Sequence, residues 1–115
     1  MDIETRYEGS ALLAKPLEKR LDAGNAPAFK SHMVNYILED HLHIAIDLSE
    51  IEFMDSSGLS ALLSTLKTIG SRGKLVLFGV GRNVGKLFSL TRLDRGVFEI
   101  HEDKHSALQS LNKAI

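Results

Sequence analysis

The sequence predicts an α/β protein with a mixed, largely parallel β-sheet of about four to five strands and about four helices. Two observations lead to this prediction: two short strand-like segments precede the first helical segment, and three strand–helix units follow it. Such alternation indicates right-handed βαβ crossovers, which make neighbouring strands parallel. The 115 residues suffice for a single domain, residues 1–115, with one hydrophobic core.

The sequence of the N-terminal part predicts two strands, a turn and a helix. The strands lie between residue 3 and about residue 17, around Gly9 and Ser10, and Pro16 places the second one at an edge or an end. In the turn that follows, Asn25 is the predicted N-cap of the helix and Pro27 suits its first turn. The predicted inward face of this helix comprises Phe29, Met33, Val34, Ile37 and Leu38.

Three strand–helix units make up the rest of the chain. The first strand alternates at Ile44, Ile46 and Leu48, as the period of a strand requires. KLVLF, residues 74–78, is a continuous apolar run typical of a strand covered on both faces, and GVFEIH, residues 96–101, is the last strand. The predicted inward residues of the three helices are Leu59, Leu62, Leu63, Leu66 and Ile69, then Val84, Leu87 and Phe88, then Ala107, Leu108 and Leu111.

The composition gives no electrostatic reason to expect nucleic-acid or membrane binding. Charged residues are 25% of the chain and the net charge is −1, without the excess of cations that phosphate backbones attract. The absence of cysteine excludes disulfides and thiolate chemistry and fits a reducing compartment. We see no signal peptide and no apolar run near the ~20 residues of a membrane span. We therefore expect a cytoplasmic protein and a monomer, although edge strands can pair.

A glycine-rich turn, GVGRNVGK at residues 79–86, lies between a strand and a helix, where phosphate loops occur. The spacing from Gly79 to Gly85 fits neither a P-loop nor a dinucleotide-binding fingerprint. A plain turn is the preferred interpretation, and a nucleotide-binding module stays open as an alternative.

The histidines do not form a recognisable metal pattern. His41 and His43 share a strand face, and His101 and His105 are close in sequence, but no third ligand accompanies either pair at a characteristic spacing. We therefore predict no metal site and no cofactor.

The most informative stretch is FMDSSGLSALL, residues 53–63, where a strand-like segment meets a helix. Asp55 or Ser56 can cap the helix, which is worth ~1 kcal/mol. Ser57 is an alternative site of modification, but a second cap or a hydroxyl bonded to the backbone is the preferred interpretation. Gly58 costs helix stability but removes bulk beside the serines. A serine nucleophile is the enzyme hypothesis, yet D-S-S-G is not the G-x-S-x-G of serine hydrolases. The remaining interpretation is a serine that another protein modifies.

The sequence of residues 46–100 resembles the STAS domain of bacterial anti-sigma-factor antagonists. The resemblance is carried by FMDSSGL, by the glycine-bearing turn before KLVL, and by VGKLFSLTRLDRGVFEI, residues 84–100. Upstream, LDAGNAPAFK, residues 21–30, is similar to the Leu-Asp turn before the first helix of that family. The resemblance extends over about residues 15 to 115 and implies a STAS-like fold.

The resemblance implies partner switching and no enzyme activity. In that family, an anti-sigma factor that is also a serine kinase phosphorylates the serine after the Asp, here Ser56. The unphosphorylated antagonist binds the anti-sigma factor and frees the sigma factor, and a PP2C-type phosphatase resets it. A STAS scaffold or transporter accessory module that is never phosphorylated is the alternative. The implied partner-binding residues are Met54, Asp55, Ser57, Gly58 and Leu59, with Leu21, Asp22 and Asn25.

Overall fold

The computed structural model describes residues 1–114, and it has the predicted α/β architecture. The strands are β1 (Ile3–Glu8), β2 (Ala11–Pro16), β3 (Arg20–Leu21), β4 (His43–Asp47), β5 (Phe53–Met54), β6 (Lys74–Phe78) and β7 (Glu99–His101). The helices are α1 (Ala26–Leu38), α2 (Ser56–Ile69), α3 (Arg82–Thr91) and α4 (Lys104–Ala114), with one 3-10 turn at Gly70–Arg72.

Five of the strands form the main sheet, in the order β1-β2-β4-β6-β7. The β1–β2 pair is antiparallel. The other neighbours are parallel, as predicted from the alternation of strands and helices. The sequence did not predict the separate two-stranded sheet of β3 and β5. Each of these strands has only two residues, which is too short for a period to be visible.

The sheet is covered on both faces. On one face, Ile44 and Ile46 of β4 lie in the larger core cluster, which includes Phe29 of α1, Leu62 of α2 and Phe88 of α3. The opposite face of the sheet belongs to a smaller cluster that is completed by α4, with Ala45, Val76, Phe78, Ala107 and Leu111. The continuous apolar run of β6 is therefore explained by burial on both sides.

Pro16 lies at the end of β2, which is an interior strand of the sheet. It faces Ile3 across the antiparallel pair, at a position next to the hydrogen bond from the Leu17 N–H to the Asp2 carbonyl, 2.9 Å. In an antiparallel pair, every second residue makes no main-chain hydrogen bonds to the partner strand, and Pro16 is at such a position. A proline, which has no N–H, therefore fits there without the loss of a bond to β1.

The apolar faces of the helices are narrower than predicted. Leu38 is 74% exposed and Leu63 is 36% exposed, so their prediction as inward residues was wrong. Leu38 is the last residue of α1, and the chain turns directly afterwards at Asp40, where φ is 68°. Four further residues of the predicted faces are half-buried: Val34, Leu66, Leu87 and Leu108. Within residues 1–114, no helix is long and apolar enough to cross a membrane.

Candidate functional site

The short β3–β5 pair brings two distant loops together. The two strands are parallel, with Arg20 beside Phe53 and Leu21 beside Met54. The chain leaves β3 into the loop of residues 22–25, and it leaves β5 through Asp55 into α2. Both loops therefore lie at the same end of this small sheet.

Asp55 caps α2 and also holds the neighbouring loop. Its backbone is extended, and its Oδ1 accepts hydrogen bonds from the N–H groups of Ser57, 2.9 Å, and Gly58, 3.1 Å. Its Oδ2 accepts a bond from the N–H of Ala23, 3.3 Å. Of the two residues that the sequence offered as the cap, the structure therefore identifies Asp55.

Ser56 is the first residue of α2, and its side chain is exposed. The N–H groups that an N-cap side chain satisfies already donate to Asp55, so helix capping leaves the Ser56 hydroxyl free. No hydrogen bond within residues 1–114 joins Ser56 or Ser57 to a histidine, whereas a serine nucleophile requires an adjacent base.

Ser57 is half-buried, and its contribution to the cap is its main-chain N–H. The prediction that its hydroxyl acts as a second cap was wrong, because Asp55 alone accepts from both orphan N–H groups. The Ser57 side chain instead lines a shallow groove between α1 and α2, together with Ser60, Ser64 and Lys30.

Gly58 allows the closest approach in the site. A Cβ atom at this position would lie 2.5 Å from the carbonyl oxygen of Leu21 and 2.6 Å from Cγ of Met54. The sequence-based explanation, removal of bulk beside the serines, was therefore incomplete. The glycine lets the first turn of α2 pack directly against β3, which keeps the two loops together.

Three predicted partner-binding residues are buried in the core. Leu21 is 0% exposed, Met54 5% and Leu59 6%, and Gly58 is buried as well. Met54 and Leu59 can therefore not offer contact area to a partner in this conformation. Instead, they fix the position of the site, because they pack β3, β5 and α2 against the larger core cluster.

Asn25 precedes α1, but its side chain does not cap the helix as predicted. Its Nδ2 donates to the carbonyl of Arg20, 2.8 Å, and its Oδ1 accepts from the N–H of Asp22, 2.9 Å. It therefore closes the loop of residues 22–25. The main-chain carbonyl of Asp22 accepts from the first N–H of α1, that of Ala26, at 2.7 Å.

Asp22 lies in this loop as a half-buried carboxylate. The pKa of Asp22 is lowered from its ordinary value, first by the hydrogen bond from the Arg20 side chain, 3.1 Å, and then by the N–H of Gly24, 3.0 Å. Asp22 and Asn25 therefore make this loop polar, and the bond from the Ala23 N–H to Asp55 holds the loop beside the start of α2.

Arg20 and Phe53 are neighbours of the site that sequence analysis did not identify. The Arg20 guanidinium lies 4.2 Å from the centre of the Phe53 ring, and Phe53 is 41% exposed. An aromatic residue three positions before the serine was visible in the sequence, but its pairing with Arg20 depends on the β3–β5 contact. The pair adds an exposed aromatic and a cation beside the two loops.

The other sequence candidates have structural explanations. Gly79 has φ 71°, and a Cβ there would lie 2.7 Å from Oδ1 of Asp47, so the turn requires glycine. His41 bonds to the Tyr7 hydroxyl, 3.2 Å, and His101 to Glu99, 2.6 Å. Within residues 1–114, no three His, Asp or Glu side chains are placed to hold a metal ion.

Comparison with known proteins identifies a family and relatives of similar sequence. The STAS domain family model matches residues 5–107. An anti-sigma-B factor antagonist of Listeria monocytogenes is 35% identical over 74 residues, which are 64% of this chain and 65% of the relative. The chain thus matches a little less than two thirds of that relative's length.

Two solved structures have the same fold. An anti-sigma factor antagonist of Mycobacterium paratuberculosis has a TM-score of 0.87 at 22% identity, covering 96% of this chain and 93% of the other. The Bacillus cell fate determinant SpoIIAA in its phosphorylated form has a TM-score of 0.68 at 15% identity, covering 95% and 98%. Since the family model extends over most of the sequence, the chain belongs to the STAS domain family.

Proposed function

We propose that the protein is an anti-sigma-factor antagonist that switches partners through Ser56. In its unphosphorylated form it binds an anti-sigma factor that is also its serine kinase, and this binding releases the sigma factor. Phosphorylation of Ser56 ends the complex, and a PP2C-type phosphatase restores it. The protein acts in this cycle as a substrate and binding partner in the cytoplasm, not as an enzyme.

The main support for this proposal is that Asp55 caps α2 and leaves the adjacent Ser56 hydroxyl without a capping role. Asp55 accepts both N–H bonds at the start of α2, so Ser56 has no capping task. Ser56 is exposed, and its hydroxyl is accessible to a kinase from solvent. A serine needed only for the fold would use its hydroxyl in the way that Asp55 uses its carboxylate.

The fold tolerates a phosphate at Ser56. The phosphate adds about −1.5 to −2 charge, and the partial positive charge of a helix N-terminus stabilises an anion there. The carboxylate of Asp55 opposes it, since it already accepts from the nearest N–H groups. We therefore expect a local change of hydrogen bonding and no change of architecture.

The same phosphate is costly inside a partner interface. A surface complementary to a neutral hydroxyl has no group to compensate a buried phosphate, and an unpaired buried charge is strongly unfavourable. A loss of ~3–4 kcal/mol lowers affinity by about two to three orders of magnitude. This penalty is sufficient for a switch.

The residues available for direct contact with the anti-sigma factor are those at the surface of the two loops. They include Asp22, Asn25, Asp55 and Ser57 from the sequence-based set, and Arg20 and Phe53 from the structure. The buried members of the set, Leu21, Met54, Gly58 and Leu59, contribute by fixing the loops. The name of the Listeria relative and the phosphorylated form of SpoIIAA support a role of this kind.

The test is peptide mass spectrometry on the protein from its native cells, in growing and in stressed cultures. We expect one phosphate on Ser56 with an occupancy that changes between the conditions. Ser56→Ala should abolish the modification. The matched control is Ser57→Ala, which should leave it in place because the neighbouring hydroxyl is not the acceptor.

Binding provides the second half of the test. With the kinase that modifies Ser56 in hand, the Kd of wild type should be lower than that of Ser56→Asp by at least tenfold, which is ~1.4 kcal/mol. Equal affinities would contradict the switch. Absence of phosphate in every culture would instead favour the STAS scaffold or transporter accessory module.

A further inference from the structure

β1 is an edge strand with free main-chain groups on its outer side. Among the described residues it pairs with β2 alone, at one end of the main sheet. The bond from the Leu17 N–H to the Asp2 carbonyl, 2.9 Å, fixes the phase of this antiparallel ladder. Even-numbered residues of β1 bond toward β2, so the N–H and C=O groups of Ile3, Thr5 and Tyr7 point outward.

The side chains of β1 include charges, which edge strands commonly use to prevent pairing with other strands. The charges of β1 alternate in sign on one face, with Glu4, Arg6 and Glu8, so they can repel a strand of one charge and still complement an antiparallel copy of β1. Glu8 pairs with Lys104, 2.8 Å, but Glu4 and Arg6 are exposed and have no ion-pair partner within residues 1–114.

We propose that β1 binds β1 of a second copy of this chain, antiparallel, about a two-fold axis at Thr5. In this register the two Thr5 residues face each other, and Ile3 of each copy faces Tyr7 of the other. These are the residues whose main-chain groups point outward, so each facing pair exchanges two hydrogen bonds. The main sheet then continues from one copy into the next.

The side chains favour this register, in which Asp2 of each copy also lies opposite Glu8 of the other, a carboxylate that Lys104 already compensates at 2.8 Å. On one face, Glu4 of each copy lies opposite Arg6 of the other, twice, in pairs whose side chains approach closely. On the other face, Ile3 covers the Tyr7 side chain, which is 65% exposed in the single chain. A shift by two residues in one direction places Glu4 opposite Glu8 and Arg6 opposite Arg6, so that only like charges face each other. A shift in the other direction places Asp2 opposite Arg6 but brings the two Glu4 side chains together and leaves Tyr7 without the Ile3 contact.

The dimer is expected to be weak. A six-residue strand pair buries less than the ~1,200 Å² of stable protein interfaces. We therefore expect a dissociation constant on the order of 0.1 mM, with association that weakens at high salt. This proposal limits the expectation of a monomer to dilute protein.

Sedimentation equilibrium of the full chain from ~10 µM to ~1 mM tests the proposal. Wild type should shift from monomer to dimer, and Arg6→Glu and Glu4→Arg should each weaken dimerisation about tenfold or more, since both facing pairs become repulsive. Lys86→Glu is the matched control: it reverses a charge on the exposed surface of α3 and should dimerise as wild type does.

Mixing the two charge-reversal variants provides the sharpest result. Neither Glu4→Arg nor Arg6→Glu associates well alone, but in a mixture each copy offers opposite charges to the other, so a heterodimer should form. Circular dichroism should show both variants folded, because both side chains are exposed. A wild type that stays monomeric, an Arg6→Glu variant that behaves as Lys86→Glu does, or a mixture that does not associate overturns the proposal.

Amide hydrogen exchange measured by NMR locates the contact. The N–H groups of Ile3, Thr5 and Tyr7 should gain protection as the concentration rises, while the even-numbered residues of β1 stay protected throughout by β2. Association without this alternating protection would mean that another surface dimerises, and it would overturn the proposed strand pairing.

Discussion

Two polar clusters lie on opposite faces of the main sheet, and they differ in how completely they are satisfied. In the cluster on the α4 side, the carboxylate of Glu99 binds Ser110, His101, 2.6 Å, and Lys74, 3.1 Å. In the cluster at the start of α2, Asp55 binds three N–H groups, but the Ser56 hydroxyl beside it remains free. A polar cluster with all its partners stabilises the fold, whereas one with an exposed spare group is available for chemistry from outside.

Gly58 is the position where the α2 cluster is easiest to break. In Gly58→Ala the new Cβ meets the Leu21 carbonyl at 2.5 Å, which the backbone can relieve only by separating α2 from β3. We expect the free energy of unfolding to fall by about 2–3 kcal/mol. The measurement is urea unfolding followed by circular dichroism.

The matched control for this glycine is Gly85→Ala in α3. The nearest neighbour of a Cβ at this position would be Cγ1 of Val80 at 3.5 Å, which is an ordinary contact. Alanine is also more favourable than glycine in the interior of a helix. This variant should be stabilised by about 0.5–1 kcal/mol. If both variants changed stability equally, the close approach of α2 to β3 would not be the reason for glycine at position 58.

Asp55→Ala tests the cap and the link to the neighbouring loop together. It removes the acceptor for Ser57, Gly58 and Ala23, so we expect unfolding to become easier by about 1–2 kcal/mol. Asp55→Asn keeps one acceptor oxygen and should lose less. Unfolding curves measured together with the amide exchange of Ala23 report the two functions of Asp55 separately. An unchanged exchange rate at Ala23 would contradict the role of Asp55 in the loop.

The main sheet could be predicted from the sequence because its strands and helices are long enough to show a period. β6 has five residues and was predicted with both of its faces buried. α2 has fourteen residues, and Leu59, Leu62 and Ile69 of its predicted inward face are buried. The β3–β5 pair, with two residues in each strand, could not be predicted in this way, since its formation depends on residues 33 positions apart, such as Arg20 and Phe53.

The candidate site was also predicted only where local sequence determines the structure. The cap at Asp55 and the exposed Ser56 follow from local rules about helix N-termini. The hydrogen bond from Ala23 to Asp55 spans 32 residues, and the role of Asn25 in its own loop competes with the capping role that its position suggests. Tertiary contacts also buried Met54, whose exposure no local pattern determines, whereas the helical stripe of α2 already predicted Leu59 as an inward residue.

Acid provides the smallest and most selective test of the α4-side cluster. Burial raises the pKa of Glu99, but hydrogen bonds from Ser110, His101 and Lys74 outweigh it and lower the pKa from 4.5 to about 2. Because the folded protein holds this carboxylate deprotonated, its stabilising contribution is present above pH 4.5 and is lost as the pH falls toward 2.

Glu99→Gln should therefore unfold more easily than wild type at neutral pH, and the stabilities of the two proteins should converge as the pH approaches 2. Urea unfolding between pH 7 and pH 2 measures this difference. The matched variant Asp22→Asn, in the loop beside Ser56, should lose less at neutral pH because Arg20 is the one side chain that holds its carboxylate, together with the Gly24 N–H, whereas three side chains hold Glu99. A pH profile of Glu99→Gln parallel to that of wild type would mean that the cluster on the α4 side is not closed around a carboxylate, and the contrast with Ser56 would lose its basis.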